Sequence, residues 1–545
     1  MTDADGTLSL LNDVLRGRCS RRDLLVRAGA LGLGTATAAA MVGVLDRRET
    51  AAQTPETTPT GAITWAIESD PVNLIPYGAT AGSNMWGKEF MYDSLLEWDR
   101  DLNIQPALAE SYEAAPDATS YTFHLRQGVK FHDGNEMTSA DVKYSIETAL
   151  NPPEPGIKFG FLANIAAVEA VDQYTVKLTM SKPDPTIPGV FAWQRYTPIV
   201  PKDSAGPMEN WLSKGIGTGP FKLVEFNPND SVIYTAFPDH WKPGVPCVQD
   251  LTLKVLPDEQ SRVSALRAGE IDGATFSADV EQTLEGDQDL QVLSGLTSVP
   301  RVMQISTVKP DTPWRDTRVR QAVSKVVDRQ QIIDNVYGGQ AELTGAIAPG
   351  YGDWPLTSDE LAQLYAVDVE GAKALMADAG FADGFSVTLQ AISAPHDYTQ
   401  IAEIIAEAVQ QLKIKVEVQP LEIGTFAKNI GDGTYEWAST GRGMRGDPSG
   451  YVIDFRSGTA NNVLWFGDGW KNDELDKAYD DALATTDSAK RHELYKRIQE
   501  IIAQEAAHVY TVQPRKFQVV NKRLSGMYVA YTDFNTGLRQ ACVSG

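Results

Sequence analysis

The sequence predicts an α/β protein built from at least two lobes. Three observations lead there. A chain of 545 residues exceeds the roughly 250–300 residues at which a single hydrophobic core stops growing. Hydrophobic residues at 42% and charged residues at 22% fit a folded chain throughout. The second half alternates helical and strand-like segments, the pattern of a partly parallel sheet.

The elements come in this order. Residues 120–126 place Tyr121, Phe123 and Leu125 on one face of a half-buried strand. His132-Asp133-Gly134 makes a turn, and Thr138 with Asp141 three residues on forms a capping box that opens a helix. Tyr174–Met180 alternates again. Phe221–Phe226 and Ser231–Thr235 flank a four-residue loop, a hairpin. The glycines of Gly217-Thr218-Gly219-Pro220 are not followed by Gly-Lys-Ser/Thr, so they do not make a phosphate loop. Leu251–Val255 reads as a strand and Ser261–Ala268 as a helix. Asp316 caps a long helical pattern, Val319–Val336, ended by Gly338-Gly339. Helices at 368–379 and 399–412 are each followed by a strand, at 385–391 and 414–419. Residues 472–506 give two amphipathic helices, and β character returns from Val509.

The net charge is −24, and residues 1–52 hold seven basic and six acidic residues, so the negative charge belongs to residues 53–545. Such a surface repels phosphate backbones, and nucleic acid is not expected as a partner. No Gly-x-Ser-x-Gly, His-Glu-x-x-His or catalytic cysteine pattern occurs, and six histidines have no ligand spacing. An enzyme, a metal site and a cofactor are therefore not expected. Cys247 and Cys542 form either one disulfide or two buried thiols; the sequence does not choose.

Ser20-Arg21-Arg22-Asp23-Leu24-Leu25 precedes a small-residue apolar run, 28–45. This is the form of a twin-arginine export signal, with Ala38-Ala39-Ala40 or Thr50-Ala51-Ala52 as the cleavage site and the latter preferred. Cys19 precedes the run, so no lipid anchor is expected. Left uncleaved, the run has about the minimum length of a membrane anchor. The expected organisation is a signal peptide at 1–52 and a polar linker at 53–60.

Five stretches, in order, carry a resemblance: Pro106–Tyr112 running on through Tyr121–Gly134 to Thr138–Ser145; Gly217–Lys222 with Trp241 downstream; Ala268–Gly273; Asp316–Ala322 with Asp328-Arg329; and Ala372–Gly380. Together they resemble the family 5 solute-binding proteins, the peptide- and nickel-binding subunits of ABC importers. The resemblance implies a two-lobed periplasmic-binding-protein clamp (type II-like, α/β, with mixed sheets and two hinge crossings). Lobe I would span 61–300 with an extra subdomain at about 93–200, lobe II 301–508, and 509–545 would return to lobe I. The crossings would fall near 297–306 and 506–514. Partners would be a small solute, most often a peptide, and the permease and ATPase subunits. The protein would be a monomer outside the cytoplasm.

In such proteins a strand leaving lobe II, here Tyr435–Thr440, delivers a loop to the cleft, here Gly441–Pro448. Peptide-binding members hold the ligand amine on an aspartate just before the Asp-Pro pair; here that place holds Met444, and Asp447 belongs to the pair itself. Ala391–Tyr398 has no arginine where dipeptide binders place one. Arg442 and Arg445 suit an anionic group on the solute, or else pair with the acidic surface. Trp86, Trp193, Trp437 and Phe276 are candidate apolar walls, with core packing as the competing role. Asn84 borders the cleft, and His396 and Tyr398 follow a strand end where cleft loops belong. An oligosaccharide-binding member and a non-transport receptor or chaperone are the alternatives.

Overall fold

The computed structural model describes residues 58–71, 74–77, 87–153, 160–193, 197–204, 215–393, 395–443, 446–532 and 536–544. The twin-arginine leader and residues 53–57 of the linker lie outside them. Pro59–Trp241 and Val245–Gly545 form one compact unit, which carries every strand and helix named here. Of the other unit, Met1–Thr58 with Lys242–Gly244, the described residues are Thr58 and the turn 242–244.

β1 (Ala62–Ile67) opens the fold. A ribbon comes next, β2 (Leu96–Trp98) with β3 (Ile104–Pro106). It leads to an antiparallel sheet of β4 (Ala109–Ala114), β5 (Ser120–Leu125), β6 (Ile165–Asp172) and β7 (Thr175–Met180), in the order β4-β5-β7-β6. In β5 the alternation is realised, with Tyr121, Phe123 and Leu125 buried. Helix α1 (Ser139–Leu150) starts at the Thr138–Asp141 capping box. Its Ser145 hydroxyl donates to the Val200 carbonyl at 3.1 Å. A short helix, α2 (Ile187–Phe191), comes after β7.

The chain then builds the large sheet with β8 (Phe221–Asn227), β9 (Ser231–Ala236), β10 (Asp250–Val255), β11 (Gly273–Phe276) and β12 (Leu290–Leu296). The β8–β9 hairpin turns through Asn229 at φ 63°, a left-handed position that asparagine tolerates better than most residues. Parallel pairing of β1 with β10 and β11 places the first strand mid-sheet.

From β13 (Arg301–Ile305) the chain enters a second sheet. The single long helix expected over Val319–Val336 is two helices, α3 (Thr317–Val326) and α4 (Arg329–Tyr337). The break has a local cause. The Asp328 carboxylate accepts from the amides of Gln330 and Gln331 and so caps a new helix. The buried Arg329 side chain bonds the Ser324 and Val327 carbonyls. β14 (Ala341–Leu343) comes after α4. β15 (Ser386–Ile392), β16 (Lys415–Leu421) and β17 (Trp437–Gly441) complete the second sheet with β18 (Val509–Tyr510), in the order β16-β15-β17-β13-β18. Between β15 and β16 lies α5 (Asp397–Ala408). The charged stretch forms α6 (Asp473–Leu483) and α7 (Ser488–Gln504). β17 is buried from Trp437 to Thr440 without alternation, as a strand covered on both faces must be. β19 (Val512–Asn521) returns to the large sheet, pairing β11 and β12.

The last residues fasten onto the first lobe. Cys247 and Cys542 are joined in a disulfide with their Cα atoms 5.1 Å apart. The Arg539 guanidinium pairs with buried Asp93 and donates to the Glu89 carbonyl at 2.7 Å. Asp93 also accepts from Trp241 Nε1 at 2.8 Å and Thr218 at 3.1 Å. Burial alone would raise the Asp93 pKa, but Arg539 and His240 beside it outweigh that and hold it well below the usual range. Among the described residues no helix is long and apolar enough to cross a membrane.

Candidate site at the seam between the lobes

Apart from β14, which pairs with the start of β19, the described chain passes from the large sheet to the second and back again, and these two passages lie side by side. The first is residues 297–300, between β12 and β13; the second is Thr511, between β18 and β19. The Thr511 amide and hydroxyl both donate to the Arg301 carbonyl at 3.0 Å. Gln513 Nε2 donates to Thr297 Oγ1 at 2.9 Å. β14 adds to the edge of β19, Leu343 opposite Val512 and Ala341 opposite Pro514. A hinge made this way holds its two strands in fixed register while the sheets on either side turn.

Around the seam, Arg301 is the central cation. Its Nε donates to Asp397 Oδ2 at 2.7 Å and its Nη1 to the Val299 carbonyl at 3.0 Å. The Tyr337 hydroxyl donates to the same Asp397 oxygen at 2.6 Å. The guanidinium carbon lies 4.3 Å from the centre of the Tyr398 ring, a cation–π contact. Burial pushes the Tyr337 hydroxyl pKa well above its usual value, so it stays a proton donor. β17 ends beside this group. A Cβ on Gly441 would lie 2.6 Å from Val299 Cγ1 and 2.8 Å from the Tyr398 hydroxyl, so only glycine lets the strand pass so close. The Arg442 amide donates to the Pro300 carbonyl at 3.3 Å, which ties the root of the loop to the first crossing.

Among the described residues of the loop, the charged Arg442 and Asp447 each have a partner of opposite charge. Arg442 forms an ion pair with buried Asp454, its guanidinium 4.2 Å from the Trp465 ring centre. Asp454 also accepts from Asn461 Nδ2 at 2.8 Å. Asp447 takes both its oxygens to one nitrogen of Arg491 on α7, at 2.8 and 2.9 Å, and accepts the Ser449 amide at 2.9 Å. Burial disfavours the Arg491 cation, but Asp447 and Tyr495 outweigh it and hold the group charged. Tyr451 donates to the Ser298 carbonyl at 3.0 Å and meets the Tyr531 hydroxyl at 3.2 Å, joining the loop's far side to the first crossing and to the C-terminal segment.

Of the residues singled out in sequence, Asn84, Trp86, Met444 and Arg445 lie outside the described residues. Tyr398 is buried at the seam, beneath the Arg301 guanidinium. His396 is exposed at the start of α5, and its side chain makes no capping bond. Trp437 is not a cleft wall: it is fully buried, its ring 5.1 Å from that of Trp314, in the core of the second lobe. Phe276 is likewise a core residue, packed in β11 beneath Arg262. Trp193 is 3% exposed and belongs to the largest hydrophobic cluster among the described residues. Sequence reasoning missed Arg301, Asp397 and Tyr337. The signal for the first two was proximity: Arg301 adjoins the apolar hinge strand and Asp397 adjoins Tyr398.

Two cavities lie between the subdomain and the second lobe. One, of about 380 Å³, is walled by Trp98, Tyr112, Tyr351 and Trp354, with Asp447 and Arg491 at its side. The other, of about 850 Å³, is lined by Phe161, Asn164, Asp184, Arg456 and Tyr479 among others. Among the described residues no three His, Cys, Asp or Glu side chains are grouped to hold a metal ion.

The sequence profile of the bacterial extracellular solute-binding proteins, family 5 (middle), matches residues 103–463. The chain belongs to this family. A relative, the glutathione-binding protein GsiB of Escherichia coli O1:K1 / APEC, is 26% identical over 525 residues, covering 92% of this chain and 96% of the relative. Among solved structures, AgaA of A. tumefaciens R10, in complex with agropinic acid, superposes with a TM-score of 0.75 at 27% identity, covering 89% of this chain and 99% of that one. DppA of Helicobacter pylori, in complex with the peptide STSA, gives 0.76 at 24% identity over 90% and 99%. Both have the two-lobed fold of periplasmic binding proteins, and the two crossings and mixed sheets of this family 5 chain are that fold's connections.

Proposed function

We propose that this chain is the extracytoplasmic receptor of an ABC importer, closing its lobes on a peptide-like solute and passing it to a permease driven by an ATPase. The observation that carries the reading is the seam: two adjacent crossings, with β17 delivering the Gly441–Pro448 loop to them. A solute bound there touches both lobes only when they are closed, so binding shifts the population toward the closed state. The glutathione- and peptide-binding names of the relatives support a peptide-like solute. The proposed contacts are Asn84, Trp86, Tyr398, Arg442, Met444 and Arg445. An anionic group on the solute is part of the proposal, since a guanidinium has five N–H donors and can serve Asp454 and a ligand carboxylate together. The protein acts as a monomer, forms no covalent bond and reaches its compartment by the twin-arginine route without a lipid anchor. An oligosaccharide is the weaker reading, because Trp437 and Phe276, two of the aromatic walls expected from the sequence, are core residues.

The test is a thermal-shift series on the purified protein with di- to pentapeptides, glutathione, agropinic acid, oligosaccharides and Ni²⁺. A ligand that binds the folded form alone raises Tm with concentration. A saturable rise with peptides supports the reading; a rise confined to oligosaccharides or Ni²⁺ overturns the peptide assignment.

A further inference from the structure

The loop that carries the proposed solute contacts has a back as well as a front, and its back rests on the subdomain. Gly189, in the middle of α2, lies against Gly446 backbone to backbone. A Cβ on Gly189 would sit 1.7 Å from the Gly446 carbonyl oxygen and 2.8 Å from its carbon. A Cβ on Gly446, where φ is +80°, would lie 3.0 Å from the Gly189 oxygen. Gly189 is not at a positive φ, so its own backbone admits a side chain. What excludes one is the loop. From the other side the next residue, Asp447, is gripped by Arg491 of α7. The loop is thus held between α2 and α7, and both cavities open beside this contact: Gly189 and Gly446 line the smaller, Val190 and Ser449 the larger.

We infer that Gly189 is a positioning residue, the stop against which Gly446 and Asp447 come to rest when the lobes close. The subdomain then sets where this end of the loop stands, a role in binding that Gly189 performs through the backbone it packs against. This rests on the proposed function for its consequence, though not for its geometry. A methyl group at position 189 holds α2 and Gly446 apart and displaces the neighbouring Asp447 carboxylate from Arg491.

The experiment compares the full chain with Gly189→Ala and, as control, Gly160→Ala, whose added Cβ would meet nothing within 4 Å. Amide hydrogen exchange without solute reports the loop directly. Faster exchange over Gly441–Pro448 in G189A alone, at an unchanged Tm, is expected; exchange like that of the control overturns the inference. Solute affinity is the second readout, with a loss of roughly 10-fold or more expected in G189A, the size of a modest population shift. Equal affinity in both variants also overturns it. If G189A does not fold, the wild-type chain decides. Solute should then slow exchange in Ile187–Phe191 together with the loop, and protection confined to the loop overturns the inference. A panel in which no solute binds the wild type counts against the proposed function, while the solute-free exchange still decides the role of Gly189.

Discussion

Arg301 and Asp397 form a part-buried ion pair at the point where the two crossings touch. The side chains meet at 2.7 Å, while the Arg301 carbonyl accepts both bonds from Thr511. One residue therefore joins the return strand through its backbone and α5 through its side chain. Removing Asp397 leaves a largely desolvated cation without its counter-ion and the Tyr337 hydroxyl without its acceptor. Asp397→Ala is expected to cost roughly 3–5 kcal/mol in urea unfolding, the usual result of breaking a buried pair. A loss below about 1 kcal/mol would mean that the pair is screened like a surface one.

Trp437 separates core from cleft. Trp437→Ala should lose roughly 3–5 kcal/mol of stability through the cavity it leaves. Trp437→Phe, still folded, should bind solute as the wild type does. A specific affinity loss in the Phe variant, with Tm little changed, would return Trp437 to the cleft.

Arg442 and Asp454 should be tested as a pair. The double alanine variant is expected to be less destabilised than the sum of the two single variants by at least about 1 kcal/mol, because each single variant removes the other charge's ion-pair partner. Solute affinity in the double variant then reports whether Arg442 also reaches the ligand.

His132 links stability to pH. Its Nε2 bonds the Gly219 carbonyl at 2.9 Å, and its Nδ1 accepts the Gly217 amide at 3.3 Å. A second proton would set N–H against N–H. Burial lowers its pKa to about 4. The native state thus stays unprotonated where the unfolded chain, with a histidine pKa near 6.5, takes up a proton. The contribution is present above about pH 6.5 and is lost as pH falls toward 4, with a slope of up to about 1.4 kcal/mol per pH unit. His132→Phe should flatten unfolding free energy against pH across that window; an unchanged slope would place the titration elsewhere.

The Cys247–Cys542 bond closes a loop of 295 residues. Reduction, or Cys→Ser at both positions, should lower stability by roughly 2–5 kcal/mol. Guanidinium unfolding with and without reductant measures it.

Much of the fold was legible in the sequence because local chemistry settles it. Alternation in β5, the capping box of α1 and the Asn-Pro-Asn-Asp turn each act over a few residues. The helix from 319 was misread because its apolar spacing runs on past Val326, while a single carboxylate, Asp328, restarts the backbone. The site was less legible. The partners of Arg442, Asp447 and Arg301 are Asp454, Arg491 and Asp397, separated by 12, 44 and 96 residues. No spacing rule connects charges across such distances. Trp437 looked like a wall because a tryptophan beside a loop is ambiguous until both faces of its strand are known to be covered.

The side-by-side crossings make the second lobe a cassette. Its strands and helices enter the chain after Thr297 and leave it at Thr511, two points already bonded to each other through Arg301 and Gln513, and β14 alone among its strands pairs with the return strand β19. Both ends of the described chain belong to the other lobe, closed by the Cys247–Cys542 bond and the Arg539–Asp93 pair. A recombination with breakpoints at these two positions would exchange one jaw of the receptor for a relative's and leave the fastened half intact. New solute preferences can thus arise by transplantation, provided the incoming loop still offers a glycine opposite Gly189.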